Sequence, residues 1–359
     1  MAIVGRSMES FKNHHDISVL TRTTQVLIST ICILILLYWG KFLFIPLALA
    51  FLFAIFLYPL TKFFESKHFS KLLAASTSAF LFLLFLCLVL YFFSTELSQF
   101  IKVLPGIKTK LDTLINSVQT WLARNYHING DSQASYINST ISKFFSFAGV
   151  TISLLLEGII LFTLVLFFTF YMLYHRKLLQ SFVYSFFKQT HRKKIEEITL
   201  DLRRLINGYV KGLMIEMLIL IVSSFILLLI LGIKYALLMA VFAGVLNLIP
   251  YIGIYSATAV NALITLTTGN STGAIEVVAV FLLIHVIDAN VILPRIVGSS
   301  VKMNPFVTLI AVVAGNLLWG IPGMFLFIPL TAIFRLLSEK IKEFRSWAIL
   351  IGEEGEKKV

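Results

Sequence analysis

Charged residues are scarce in this sequence, and hydrophobic residues are abundant. Of its 359 residues, 13% are charged and 58% are hydrophobic, and the mean hydropathy is +0.91. A soluble globular protein has about 25% charged residues. This chain therefore has too little polar surface to cover a water-soluble particle of its size. Because helices satisfy their own backbone hydrogen bonds in lipid, we expect an all-α membrane protein with several spans.

The chain also lacks the residue patterns of common enzyme and metal sites. Its two cysteines, Cys32 and Cys87, lie within apolar runs and imply no disulfide framework. The sequence has no G-x-x-x-x-G-K-[ST] phosphate loop, no H-E-x-x-H zinc motif and no G-x-S-x-G nucleophile motif. We therefore expect no enzymatic activity, no cofactor and no bound metal.

The net charge of +12 follows from the distribution of Lys and Arg. Positive residues collect in the cytoplasmic loops of membrane proteins. If the N-terminus is cytoplasmic, most of the 30 Lys and Arg lie inside, including the run from Arg192 to Lys194. This distribution predicts two cytoplasmic termini, and it explains the charge without a nucleic-acid partner.

Apolar runs predict about six full transmembrane helices, since a span needs about 20 residues. The runs lie near 24–39, 42–60, 72–93, 148–174, 212–233 and 274–293. Two longer regions, 236–268 and 306–337, are interrupted near the middle by Gly and Pro. If each dips into the bilayer and returns, they form two re-entrant hairpins. If the arms of the first region are full spans, the total is about eight, and the charge rule does not separate these counts.

Two polar segments lie between the spans. Apolar residues at helical spacing in 94–147 predict amphipathic helices outside the bilayer, and 176–211 predicts a cytoplasmic helical segment. The apolar stripe of 94–147 has no partner in the sequence, so we expect a homo-oligomer. The predicted division is 1–93 (N-terminal tail and first three spans), 94–147, 148–175 (fourth span), 176–211, 212–337 (C-terminal membrane core) and 338–359 (cytoplasmic tail).

Five ionisable residues lie inside apolar runs, where an acidic side chain costs about 2.5–3.5 kcal/mol at a helix centre. They are Glu157, Glu216, Glu276, His285 and Asp288. Glu216 and Glu276 lie near predicted helix ends, so we expect both to reach the interface. Glu157, His285 and Asp288 are candidates for handling a proton or a cation. His285 and Asp288 share a helix face, and a local structural pair at the helix end is the alternative.

The two interrupted regions share a pattern of Ala-Gly, a nearby Asn, and then Pro and Gly. Broken helices in corresponding positions are a sequence sign of a transporter's binding site, and packed Pro kinks are the alternative. We expect the two breaks to approach each other around one polar cavity. The candidate route residues are Asn247, Pro250, Gly253, Asn290, Pro294, Asn316, Gly320, Pro322 and Gly323.

Three strings in the C-terminal half resemble a known family. They are NLIPYIG at 247–253, DANVILPRIVG at 288–298, and the stretch from Met303 to Pro329. Their order and spacing are similar to the autoinducer-2 exporter (AI-2E) family of bacterial membrane proteins. The residues that fall on the family's pattern in the second and third strings are Asp288, Asn290, Pro294, Gly298, Pro305, Gly320, Gly323 and Pro329. The resemblance implies a homo-oligomeric transporter of the bacterial plasma (inner) membrane.

Three functions are compatible with these observations. The first is export or facilitated passage of a small polar solute, such as a signalling molecule. The second is sodium/proton antiport on the same scaffold, which the resemblance also allows. The third is an oligomeric membrane scaffold that transports nothing. The expected partners are therefore the lipid bilayer, a small polar solute or monovalent cation, and further copies of the chain.

Overall fold

The computed structural model describes residues 19–88, 91, 120, 124, 158, 160–250, 252–267 and 271–353. The predicted amphipathic helices of 94–147, apart from two single residues, lie outside this part of the chain, and so does Glu157. Regular structure in the described residues is helical, without a strand. Five of the described helices are long and apolar enough to cross a membrane. The predicted all-α membrane fold is confirmed.

The chain divides into two compact units, Met1–Phe44 and Ile45–Val359. In the first unit, helix α1 (Val19–Trp39) is apolar, and most of its described side chains are exposed. The backbone continues through Gly40, whose N–H donates to the carbonyl of Leu36 at 2.8 Å. Helix α2 begins at once, so the first two predicted spans follow each other closely.

The second unit begins within helix α2 (Lys41–Ser66) and continues with α3 (Lys71–Leu88) and α4 (Ile160–Tyr174). These helices pack through a shared apolar cluster that includes Leu57, Ala75, Phe82 and Leu173. One buried polar contact joins α2 to α3, where the Thr61 hydroxyl donates to Ser78 Oγ at 3.0 Å.

Helix α5 (Arg176–Ser185) is followed by the longest helix described, α6 (Arg192–Ile230). Its 39 residues correspond to about 58 Å at 1.5 Å per residue. The predicted cytoplasmic helix and the predicted fifth span are therefore one helix, which crosses the expected border at 211/212 without interruption.

The first interrupted region folds as a helical hairpin, termed here the first hairpin. Helix α7 (Ala236–Leu246) and helix α8 (Ile252–Thr267) pack against each other. Helix α7 also packs against α6, and α8 packs against the helix that begins at Ser271. Asn261 of α8 donates from Nδ2 to the carbonyl of Met239 on α7 at 3.1 Å. At 11 and 16 residues, the arms measure about 16 and 24 Å, shorter than a hydrocarbon core of about 30 Å.

The helix that begins as α9 (Ser271–Ile287) extends beyond residue 293, where the predicted span ends. It continues through two π-helical segments, Asp288–Ile292 and Pro294–Gly298, and a last turn that ends at Val301. A π-helical turn is rare and occurs often at functional sites.

The second interrupted region also reverses, within helix α10 (Pro305–Lys340). Gly320 has φ 63° and ψ −143°, which breaks the helix. Gly315 and Gly323, on opposite sides of this break, lie so close that a Cβ on either would overlap the carbonyl of the other. This is the second hairpin. A short helix, α11 (Arg345–Ile351), follows it, and the Asn304 N–H donates to the carbonyl of Ile351 at 2.9 Å.

Candidate functional site

A buried acid lies against the tip of the first hairpin. The side chain of Glu216, on α6, is 3% exposed. Asn247, the residue that follows α7, donates from Nδ2 to Glu216 Oε1 at 2.9 Å. The expectation that Glu216 reaches the interface is wrong, because its carboxyl group is buried within the protein and bound by Asn247.

Asp288 completes this group, termed the acid cluster (Glu216, Asn247 and Asp288). It begins the first π-helical segment and is 5% exposed. The Asn247 side chain also lies near the Asp288 carboxyl group. The carboxyl groups of Glu216 and Asp288 lie close enough to repel each other when both are ionised. Two acids from distant parts of the sequence thus meet at one amide.

The acid cluster retains unused acceptor atoms. Among the described residues, Glu216 Oε2 and Asp288 Oδ1 are buried and have no hydrogen-bond partner. A buried polar atom without a partner costs about 1–3 kcal/mol, and two nearby carboxylates repel strongly at low dielectric. A shared proton, a monovalent cation or a hydroxyl-bearing solute would relieve both costs. No group of three or more His, Cys, Asp and Glu with metal-site geometry occurs in the described ranges.

A seam of small residues holds the two acid-bearing helices together. A Cβ on Gly212 would lie 3.0 Å from the carbonyl oxygen of Ile296, and one on Gly208 would lie 2.6 Å from Ser300 Oγ. The backbone of α6 therefore lies directly against the second π-helical segment and the turn after it. The two glycines form a G-x-x-x-G motif, which permits close helix approach in membranes. This motif was the available sequence sign that α6 continues into the membrane core.

Tyr209 connects the same face of α6 to the second hairpin. It precedes Glu216 by about two helical turns and is 1% exposed. Its hydroxyl donates to the carbonyl of Phe325 at 3.3 Å, and the two rings lie 6.2 Å apart. Both hairpins therefore pack on α6. That the two breaks flank one cavity stays a prediction.

The other predicted amides do not join the acid cluster. Asn290 is exposed and donates to the carbonyl of Val286 at 2.7 Å. It lies two residues beyond Asp288, which places it on nearly the opposite side of a helix. Asn316 is exposed because its neighbour Gly315 occupies the packed face of the second hairpin.

The remaining predicted residues are distributed along the breaks. His285 lies in electrostatic range of Asp288, and its Nε2 lies 3.3 Å from the Tyr255 hydroxyl.

In the first hairpin, Pro250 is half-buried and Gly253 is buried against the carbonyl of Leu246. The others are exposed Pro294, half-buried Gly320 and Pro322, and buried Gly323.

The fold and the acid cluster define a multi-pass helical membrane protein with a polar site at a helix break. The family model for AI-2E family transporters matches residues 27–343 of this chain. The chain therefore belongs to the AI-2E family of membrane transporters, and the resemblance of its three C-terminal strings is confirmed.

Proteins of several bacteria are similar to this chain. YhhT of Escherichia coli (strain K12) is 25% identical over 313 residues, which cover 86% of this chain and 87% of that protein. The AI-2 transport protein TqsA of the same strain is 24% identical over 314 residues, covering 86% and 89%. YrrI of Bacillus subtilis (strain 168) is 32% identical over 171 residues, and this match covers 48% of each chain.

Proposed function

We propose that this protein moves a small polar solute across the bacterial plasma membrane by a route that passes the acid cluster. The observation that supports this proposal most directly is the hydrogen bond between Asn247, at the tip of the first hairpin, and the buried Glu216. A break in a membrane helix leaves backbone groups that hydrocarbon cannot satisfy. Here the break adjoins an amide and two carboxyl groups, which offer donors and acceptors to a solute with hydroxyl groups.

The first solute to test is AI-2. The AI-2 transport protein TqsA aligns with 86% of this chain, and the acid cluster offers the hydrogen-bonding groups that a small hydroxylated molecule needs. We propose export as the direction, with both chain termini in the cytoplasm.

Sodium/proton antiport is the second candidate, and the pair of carboxyl groups favours it. Glu216 and Asp288 are buried together, and an oxygen of each lacks a partner among the described residues. A pair of this kind can exchange a proton for a monovalent cation as it alternates between two sides of a membrane. In this case the solute would be the ion itself.

Purified protein in sealed vesicles separates the candidates. AI-2 movement and internal pH are followed under imposed sodium and proton gradients. AI-2 movement that needs the protein supports the first candidate, and a sodium-driven pH change without AI-2 supports the second. Asp288→Asn should lower either activity. Glu276→Gln is the matched control, because Glu276 lies on the same helix but outside the acid cluster. If neither activity appears, the proposal falls and the scaffold hypothesis gains.

We also propose a homo-oligomer with residues 94–147 outside the cell and 176–211 inside. Mass measurement in nanodiscs tests assembly, and a purely monomeric mass would contradict the homo-oligomer.

To test the topology, single cysteines replace Ser132 or Gln189 in a chain without Cys32 and Cys87. An impermeant thiol reagent added to intact cells should label position 132 and not position 189.

A further inference from the structure

We infer that the protein also binds an anionic phospholipid, in a cavity that shares no residue with the acid cluster. The cavity has a volume of about 470 Å³, which is within the usual range of ligand sites, about 300–1,000 Å³. Helices α2, α4, α5 and α6 form its walls, together with the end of α10. No residue of the proposed transport route lines it.

Most of the cavity wall is apolar. Leu173 and Ile195 form its buried part, whereas Phe51, Val183 and Phe187 are 38%, 45% and 52% exposed at its edge. The apolar lining therefore continues from the interior onto the surface of the unit. An acyl chain could lie along this lining and bury the exposed apolar area, with about 25 cal/mol gained per Å² removed from water.

The charged residues that line the cavity are all basic. Two of them have acidic partners outside it: Arg176 pairs with Glu65, and Lys340 Nζ lies 3.2 Å from Asp201. Arg203 and Lys194 line the same cavity without a carboxylate partner among the residues that the structure describes. Positive charge is therefore left over at the cavity, where a phosphate group would complement it.

Arg203 is held in place by an aromatic ring. Its guanidinium lies 4.4 Å from the centroid of the Tyr58 ring, and the guanidinium of Arg176 lies 5.6 Å from the same centroid. A planar guanidinium that stacks on a ring keeps its N–H groups free for bidentate contact with phosphate. Arg203 is thus the residue most suited to the lipid head group.

The position of the cavity favours a phospholipid over other amphiphiles. It lies where the apolar helices α2 and α4 meet the basic α5 and the beginning of α6. Basic pockets between membrane helices on the cytoplasmic side bind anionic lipid head groups. The apolar opening and the adjoining cations also match the two ends of such a lipid.

Native mass spectrometry of the full chain in detergent tests the site with dioleoylphosphatidylglycerol. We expect this lipid to bind at least roughly tenfold more tightly than dioleoylphosphatidylcholine. Arg203→Gln should weaken its binding roughly tenfold, since a charge-assisted contact is lost. The matched control is Arg204→Gln, which removes the same charge from a side chain that is 80% exposed and outside the cavity.

A second pair of variants tests the apolar part. Ile198→Trp should fill the cavity and reduce phosphatidylglycerol binding, whereas Leu200→Trp should not, because Leu200 is 46% exposed and does not line the cavity. Thermal unfolding identifies any variant that does not fold, and the arginine pair then decides. Equal binding of the two phospholipids, equal effects of the two arginine variants, or tighter binding of oleate than of phosphatidylglycerol would overturn the inference.

Discussion

The first hairpin turns through a polar tip, whereas the second turns through a close contact between two glycines. Asn247 at the first tip reaches across to Glu216 on α6. At the second, the break at Gly320 brings Gly315 against Gly323, and the rings of Trp319 and Phe327 lie 5.5 Å apart. The same sequence pattern of Gly, Asn and Pro has therefore produced a polar site in the first hairpin and a closely packed turn in the second.

The difference lies in what each asparagine faces. Asn247 follows α7 and points toward α6, because α7 packs along that helix. Asn316 lies within the first arm of the second hairpin, next to a glycine that fills the packed face, and so it is exposed. A broken helix supplies a binding site only where its polar residue meets a partner from another helix.

The largest effect is expected from filling the glycine contact of the second hairpin. Gly323→Ala places a methyl group against the backbone of Gly315, and overpacking of this kind should lower the free energy of unfolding by about 3 kcal/mol or more. Thermal unfolding in detergent measures the loss. Gly298→Ala is the control, because a Cβ there would lie 3.6 Å from its nearest neighbour. Equal stability of the two variants would show that the arms do not approach as described.

The next effect concerns the two acids as a unit. Glu216→Gln with Asp288→Asn should reduce transport roughly a hundredfold and remove its dependence on pH or sodium, because both groups that can bind a proton or a cation are lost. Each single change should cost nearly as much as both, since residues that act together are not additive. Initial rates in vesicles measure this double-mutant cycle. Fully additive losses would mean that the two carboxyl groups act separately.

The sequence predicts most of the fold but only part of the site. Long apolar runs and the Gly/Pro interruptions locate the apolar helices and both chain reversals, because lipid allows few backbone arrangements. Asp288 and Asn247 were also identified, since a charge or a broken helix inside an apolar run is costly and therefore conspicuous. These features are local, so the sequence alone displays them.

The pairing of these residues was not predictable from local features. Glu216 was expected at an interface, because the polar residues before 212 suggested a helix end there. In the structure, α6 continues through this position without interruption, and its packing against the second π-helical segment places its acid beside Asp288. Helix ends and tertiary neighbours depend on contacts between distant residues, which hydrophobic periodicity does not contain.

A moderate effect should distinguish the asparagines of the two hairpins. Asn247→Ala removes the donor to Glu216 and leaves a buried acid with one partner fewer, so transport should fall roughly tenfold. Asn316→Ala, in the exposed position, should change transport less than about twofold. Initial rates at equal protein amounts provide the comparison. If Asn316→Ala is the more damaging change, the second hairpin rather than the first carries the route.

The smallest effect on transport is expected at Gly320, and this substitution separates backbone strain from packing. A Cβ on Gly320 would meet nothing within 4 Å, so Gly320→Ala causes no collision. Its φ of 63° and ψ of −143° lie in a region that is almost confined to glycine. The substitution should therefore cost about 1–2 kcal/mol of unfolding free energy through strain alone, well below the cost at Gly323, while transport by the folded fraction is unchanged. Thermal unfolding and initial rates on the same preparation check both parts. A loss of transport without a loss of stability would mean that the turn at Gly320 moves during the transport cycle. The contrast between a polar site in the first hairpin and a rigid turn in the second would then fail.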